Sequence, residues 1–193
     1  MTTCAIIVTD TGPLKTLAYA RRLDLFLKPG LPVYITDMVI EELRAGSQYL
    51  GNQLALDFIK DQVGVSGGLL KKIDTGVPQN AETLRSLRVD PGEQSLKIVL
   101  EDYYSTHPND YALLLFEDNG IAKKTFVLPE NVSLLTTRPF LQELERRKII
   151  ASAEDVLKAA EMASLAACDE RKLLSRKKEH AAPPRNDPSV KWF

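Results

Sequence analysis

The hydrophobic positions of the chain form short extended runs, and the stretches between these runs have helical spacing. Runs rich in Val, Ile and Leu are typical of buried strands. The strands predicted from them cover residues 5–9, 33–35, 111–116 and 132–135. The segment 63–80 is rich in turn residues and has room for one more short strand.

Between the predicted strands, apolar residues three and four positions apart indicate helices. Asp90 caps one of them, with a proline in its first turn. Either Thr36 or Asp37 caps another, which Gly46 ends. The predicted helices cover residues 12–27, 36–44, 51–62, 81–88, 90–104, 120–124, 139–147 and 152 to beyond 167.

Strands that alternate with helices favour a parallel sheet covered by helices on both faces. The pattern therefore predicts the α/β class: a Rossmann-like α/β/α sandwich whose central sheet has four to five strands and is mainly parallel. Ser152 and Asp155 form a capping box that begins the last helix. We expect one domain over residues 1–160, a helical extension over 161–180 and a flexible tail over 181–193, where the composition changes to AAPPRNDPSVKWF.

Composition narrows the function classes. The 193 residues include 25 basic and 26 acidic side chains, so no global positive field attracts nucleic acid. Any nucleic-acid role therefore needs a local basic patch, or metal ions that neutralise acidic residues. Cys4 and Cys168 are too few for a disulfide framework or a metal knuckle. We expect a cytoplasmic protein, with no membrane span and no signal peptide.

Acidic residues follow two of the predicted strands. Asp10 comes directly after the first strand, and Glu117 and Asp118 come directly after the strand at 111–116. In open α/β sheets the ligand crevice lies beyond the carboxyl ends of the strands. If these two strands are neighbours in the sheet, their carboxylates approach each other there.

Two more carboxylates come from helices. Helical periodicity places Glu42 beside the apolar stripe of its helix and Glu41 almost opposite that stripe, so Glu42 can face inward while Glu41 is solvated. Glu93 lies at the edge of the apolar stripe of the helix that Asp90 caps, in its first turn. Both helices can therefore direct a carboxylate towards the crevice.

Each of these residues has an alternative, purely structural role. Asp10 can cap the helix that follows it, and Asp118 can cap the short helix after its strand. Glu93 can be the capping-box partner of Asp90. Glu42 can be an ordinary solvated helix residue. Taken together, four carboxylates around one crevice repel one another unless some are protonated or a cation binds. An all-oxygen site of this kind suits Mg²⁺ or Mn²⁺.

The order of four motifs resembles a PIN domain, a family of metal-dependent nucleases that includes VapC-type toxins of bacterial toxin–antitoxin pairs. The motifs are IIVTDTGPL, VIEEL, DPGEQSLKIVL and LLLFEDNGIAKK, and the resemblance covers roughly residues 4–160. It implies a PIN-like fold and a four-carboxylate site that binds Mg²⁺ or Mn²⁺. The implied metal ligands are Asp10, Glu42, Glu93 and Asp118, with Glu117 as an alternative to Asp118.

The same resemblance implies hydrolysis of RNA phosphodiesters. Thr11 would assist by hydrogen bonding to a metal ligand or to the phosphate. Cations at the rim of the site would bind RNA phosphates, and the candidates are Lys15, Arg44, Lys123 and Lys124. The implied partners are RNA, a cognate antitoxin protein and a second copy of the chain in a homodimer.

The sequence departs from the family pattern in two places. Relatives often carry an arginine after the acidic pair, whereas this chain has NGIAKK, in which Lys123 or Lys124 can supply the positive charge. The stretch 46–88 is also longer than in minimal members, which suggests an added surface for RNA or a partner.

Other function classes stay open or are disfavoured. A PIN-like binding module without catalysis and a housekeeping RNA-processing nuclease both remain alternatives to a toxin. A phosphatase of the haloacid dehalogenase class needs a second aspartate two residues after the first, where this chain has Gly12. A response-regulator receiver usually has an acidic pair after its first strand, and here Asp10 stands alone.

Overall fold

A computed structural model describes residues 4–117 and 131–181, and for residues 169–181 it describes the backbone alone. Within these residues the sheet has five strands, all parallel, in the order β3-β2-β1-β4-β5. The α/β fold predicted from the sequence is therefore confirmed. The strands are β1 Cys4–Thr9, β2 Val33–Thr36, β3 Leu70–Ile73, β4 Tyr111–Phe116 and β5 Val132–Thr136.

Helices connect the strands and cover both faces of the sheet. They are α1 Thr11–Tyr19, α2 Asp37–Ala45, α3 Leu50–Gln62, α4 Ala81–Ser86, α5 Pro91–Thr106, α6 Thr137–Arg146 and α7 Ala153–Ala181, with 3₁₀ turns at Leu23–Phe26 and Pro78–Asn80.

The alternation of side chains along β1 divides the core into two layers. Ile7 lies in a cluster that contains residues of α1, α2, α3, α6 and α7. Ile6 and Val8 point to the opposite face, where α5 supplies Leu96 and Leu100. All five of these side chains are buried. β1 is thus a central strand, buried on both faces, which explains its continuous apolar sequence.

Several element boundaries agree with the predictions. Thr36 caps α2, because its hydroxyl accepts a hydrogen bond from the Val39 amide at 3.1 Å. The turn-rich segment contains the short edge strand β3, paired with β2. Ser152 caps α7 by accepting from the Asp155 amide at 3.1 Å. Since α7 runs unbroken from Ala153 to Ala181, the expected boundary at residue 160 falls inside one helix.

The prediction for the first helix is wrong at the C-terminal end of that helix. We expected it to reach residues 25–27, but α1 ends at Tyr19. Arg21 has a left-handed backbone (φ 53°), and its amide and that of Arg22 bond to carbonyls of the last turn. This is a Schellman motif, in which arginine takes the place usually held by glycine. The following 3₁₀ turn continues the apolar spacing, so the sequence resembles an unbroken helix.

Two predicted segments lie outside the described residues: the short helix at 120–124 and, apart from Ala181, the tail at 181–193. In the part of the chain that is described, no helix is both long enough and apolar enough to cross a membrane.

Candidate functional site

The sheet order places a crevice next to β1. The chain runs outward from β1 through β2 to β3, and then returns to the other side of β1 to form β4. Ligands in open α/β sheets bind at such a reversal, beyond the carboxyl ends of the strands. Asp10 lies there, and its amide donates to the Leu115 carbonyl of β4 at 2.9 Å.

A cavity of about 270 Å³ opens at this point, and we call it the carboxylate cavity. It brings together three of the predicted ligands, which come from the end of β1, from α2 and from the start of α5. Its lining residues are Asp10, Thr11, Gly12, Lys15, Glu42, Asn52, Asp90, Gly92 and Glu93.

Asp10 occupies the N-cap position of α1, yet its side chain makes no capping hydrogen bond to the described first turn of that helix. Burial raises the pKa of its carboxyl, and the charge of Asp90 adds to this effect. The nearby amides of Thr11 and Gly12 and the charge of Lys15 act in the opposite direction. The Asp10 carboxylate therefore lines the cavity while it also interacts with the first amides of α1.

Glu42 faces the same cavity from α2. The Thr11 hydroxyl donates to its Oε2 atom at 2.5 Å. Burial raises the pKa of Glu42, and the charges of Asp10 and Asp90 raise it further. Glu41 instead pairs with Arg44 at the surface, at 2.5 Å. The structure thus confirms that Glu42 faces inward and Glu41 outward.

Gly92 lets two carboxylates approach the start of α5. A Cβ atom at this position would lie 2.8 Å from Glu42 Oε1 and 3.1 Å from Asp90 Oδ1. Any other residue would push the Glu42 side chain out of its place. Asp90 Oδ1 also caps α5 by accepting from the Glu93 amide at 3.1 Å. The Asp-Pro-Gly-Glu sequence therefore builds a helix start and one wall of the cavity at once.

Four residues of the cavity wall were not predicted as site residues: Gly12, Asn52, Asp90 and Gly92. Asp90 could have been found, because it stands three positions before Glu93 at the same helix start. Asn52 carries no local signal. It is buried, with 6% of its surface exposed, and its Nδ2 donates to the Leu43 carbonyl at 3.1 Å. Its place at the cavity depends on how α3 packs against α2, which the sequence does not reveal.

The remaining predicted residues lie in different places. Lys15 lines the carboxylate cavity, whereas Arg44 is exposed and lies outside it. Glu117 follows β4 as expected, but it lines a neighbouring cavity, where Thr16 donates to its Oε2 at 2.8 Å. Three residues lie outside the described part of the chain: Asp118, Lys123 and Lys124.

The residues of the carboxylate cavity fit a hard cation in donor chemistry. Carboxylate, hydroxyl and amide oxygens are ligands that Mg²⁺ and Mn²⁺ prefer. Asp10 and Glu42 are partly desolvated like charges, which a divalent ion would stabilise. Among the described residues, however, no three Asp, Glu, His or Cys side chains are grouped closely enough to hold a metal ion. An ion would therefore have to draw these carboxylates together.

We compared the chain with protein-family models, with curated proteins and with solved structures, and found no match in any of the three. The chemistry of the carboxylate cavity and the order of the four sequence motifs are therefore what point to a function.

Proposed function

We propose that this protein is a Mg²⁺- or Mn²⁺-dependent endoribonuclease whose metal ligands include Asp10, Glu42 and Glu93. The strongest support is that Asp10 and Glu42 line the same cavity at the carboxyl ends of parallel strands. Partial burial there raises the pKa of both carboxyl groups. Keeping two partly buried carboxylates close together is costly unless a cation compensates them. Titratable groups perturbed in this way cluster at functional sites.

The chain's own groups have separate tasks in this proposal. Asp10 and Glu42 hold the ion, and Thr11 fixes the orientation of Glu42 through its hydrogen bond. Lys15 lies at the same cavity and binds the phosphate of the RNA. When bound, the ion would activate water for attack on phosphorus and stabilise charge on the leaving oxygen.

Asp118 is the fourth proposed ligand. Glu117, its alternative, accepts a hydrogen bond from Thr16 in the neighbouring cavity and does not line the carboxylate cavity. This contact favours Asp118, the next residue in the chain.

Within this activity we propose the role of a toxin in a toxin–antitoxin pair, with an antitoxin protein as partner and a homodimer as the working form. The order of the PIN-like motifs supports this role. A housekeeping nuclease would use the same chemistry. Expression of the wild type in a bacterial host should arrest growth if the protein is a toxin, and Asp10→Asn should not.

One observation favours a different function, that of a binding module without catalysis. The described carboxylates are not grouped closely enough to hold an ion as they stand. A module of this kind would bind its partner equally well with Asp10 or with Asn at this position, and it would leave RNA intact.

RNA cleavage by matched variants separates the two functions. Single-stranded RNA is incubated with wild type, Asp10→Asn, Glu42→Gln and Glu41→Gln, with Mn²⁺ or with a chelator. We expect cleavage by wild type and Glu41→Gln in Mn²⁺ alone. Loss of a ligand in Asp10→Asn or Glu42→Gln should slow cleavage by about 100-fold or more. Intact RNA with wild type and Mn²⁺, or cleavage that survives chelation, would refute the proposal.

A further inference from the structure

A second, larger cavity of about 870 Å³ lies beside the carboxylate cavity. Its walls come from α1, from the turn between α2 and α3, and from α7, and two tyrosines, Tyr19 and Tyr49, line it. We call it the tyrosine cavity. Given the ribonuclease function proposed above, we propose that the tyrosine cavity binds the nucleobase adjacent to the cleaved phosphate.

The two cavities are adjacent. Gly12, Lys15 and Asn52 line both of them. A phosphate held between Lys15 and the carboxylate cavity would place the neighbouring nucleotide at the entrance of the tyrosine cavity. The volume is also within the usual range for small-molecule sites, roughly 300–1,000 Å³. The carboxylate cavity, at about 270 Å³, has room for an ion and a phosphate group but not for a base as well.

The lining of the tyrosine cavity suits a flat aromatic ligand. Tyr49 lines the cavity and is 38% exposed. The Tyr19 ring lies directly on the backbone of Gly51, where a Cβ atom would come within 2.7 Å of its Cε2. Leu157 and Ala160 of α7 add apolar surface. Proteins bind unpaired bases by stacking them on such aromatic side chains.

Two carboxylates give the tyrosine cavity a preference among bases. Glu117 and Glu161 line it, and the Thr16 hydroxyl holds Glu117 in place at 2.8 Å. An ionised carboxylate accepts hydrogen bonds and cannot donate them. It can therefore accept from the exocyclic amino group of cytosine, adenine or guanine, whereas uracil offers only its N3–H between two carbonyl oxygens that repel a carboxylate. The negative charges also keep the RNA backbone on the Lys15 side.

Binding and cleavage by Tyr49 variants test this inference. Short oligomers of C, A and U are titrated onto Asp10→Asn, with and without the added change Tyr49→Ala. Asp10→Asn should not cut RNA, and it keeps Lys15 and the tyrosine cavity for binding. We expect Tyr49→Ala to weaken binding of the C oligomer about 10-fold, the loss of one stacked base. Tyr49→Phe keeps the aromatic face and should lose less. Leu87→Ala, at a 68% exposed position away from both cavities, should change nothing.

A variant of Glu117 tests the preference for C over U. Glu117→Gln should bring the affinity for C closer to that for U, because the amide also offers donors to the uracil carbonyls. If RNA binding and cleavage are unchanged in Tyr49→Ala, the base site is overturned while the ribonuclease function stands. The tyrosine cavity would then be a candidate site for a peptide of a partner protein. A wild type that neither binds nor cleaves RNA would overturn both proposals.

Discussion

Asp10 shows most clearly how a single residue connects folding with function. It stands at the end of a buried strand and at the cap position of α1, but it makes no capping bond to the described first turn. Its burial raises its pKa, so the ionised form costs stability in the folded protein. A carboxylate whose ionised form lowers stability is typical of a site kept for function.

Replacing Asp10 should therefore stabilise the metal-free protein. Because the folded pKa of Asp10 is raised, its contribution to stability is fully present below the ordinary Asp pKa and is lost as pH rises through the folded value. Asn has no such cost. In chelator at pH 7 we expect Asp10→Asn to raise the free energy of unfolding by about 0.5–1 kcal/mol. The difference should close as pH falls towards 4.

Urea unfolding between pH 4 and pH 8 measures this effect. The control is Asp57→Asn at an exposed position of α3, which should stay within about 0.5 kcal/mol of wild type at every pH. An Asp10→Asn protein that is less stable than wild type at pH 7, or whose difference does not change with pH, would contradict this account of Asp10.

The sequence predicts the position of a side chain where helical periodicity or helix capping determines it. Helical spacing distinguishes Glu42 from Glu41, and the strand end identifies Asp10. Prediction failed for Asn52, because nothing local marks an asparagine that reaches the cavity through the packing of α3. It also left Glu117 and Asp118 as alternatives, since two adjacent residues after a strand differ in direction through backbone geometry that the sequence does not specify.

At the scale of elements, apolar patterns in the sequence predict the strands and most of the helices. They predict less well where each helix ends. Among the described residues, three helices end in a left-handed residue that is not glycine: Arg21, Arg88 and Lys148. In each case the next amide reaches back to a carbonyl in the last turn. Since glycine is the usual signal for such an end, these stops are hidden in the sequence. That is why α1 was predicted to be too long.

The end of α1 gives a direct test at this scale. Arg21→Gly removes the strain of a side chain at φ 53° and should raise the free energy of unfolding by about 0.5–1 kcal/mol. The matched control is Ala20→Gly, one position earlier at φ −71°, where glycine should destabilise by about 0.5–1 kcal/mol. Thermal or urea unfolding measures both. A destabilising Arg21→Gly would mean that the Arg21 side chain contributes more than its backbone costs.

At the scale of the whole molecule, the sheet order determines where chemistry can occur. β1 and β4 are neighbours, which was the condition for their acidic residues to approach each other, and the carboxylate cavity opens beside them. The net charge of −1 provides no general attraction for RNA. Affinity must therefore come from the site itself, through Lys15, through a bound ion and, by the inference above, through the tyrosine cavity.

Binding of Mn²⁺ to the purified protein is the sharpest test of a metal site in the carboxylate cavity, since it needs no substrate. Titration calorimetry or the electron paramagnetic resonance of free Mn²⁺ gives the affinity for wild type, Glu42→Gln and Glu41→Gln. We predict that wild type and Glu41→Gln bind alike, and that Glu42→Gln binds at least about 10-fold more weakly. Equal binding by all three proteins, or no binding by wild type, would contradict a metal site in the carboxylate cavity.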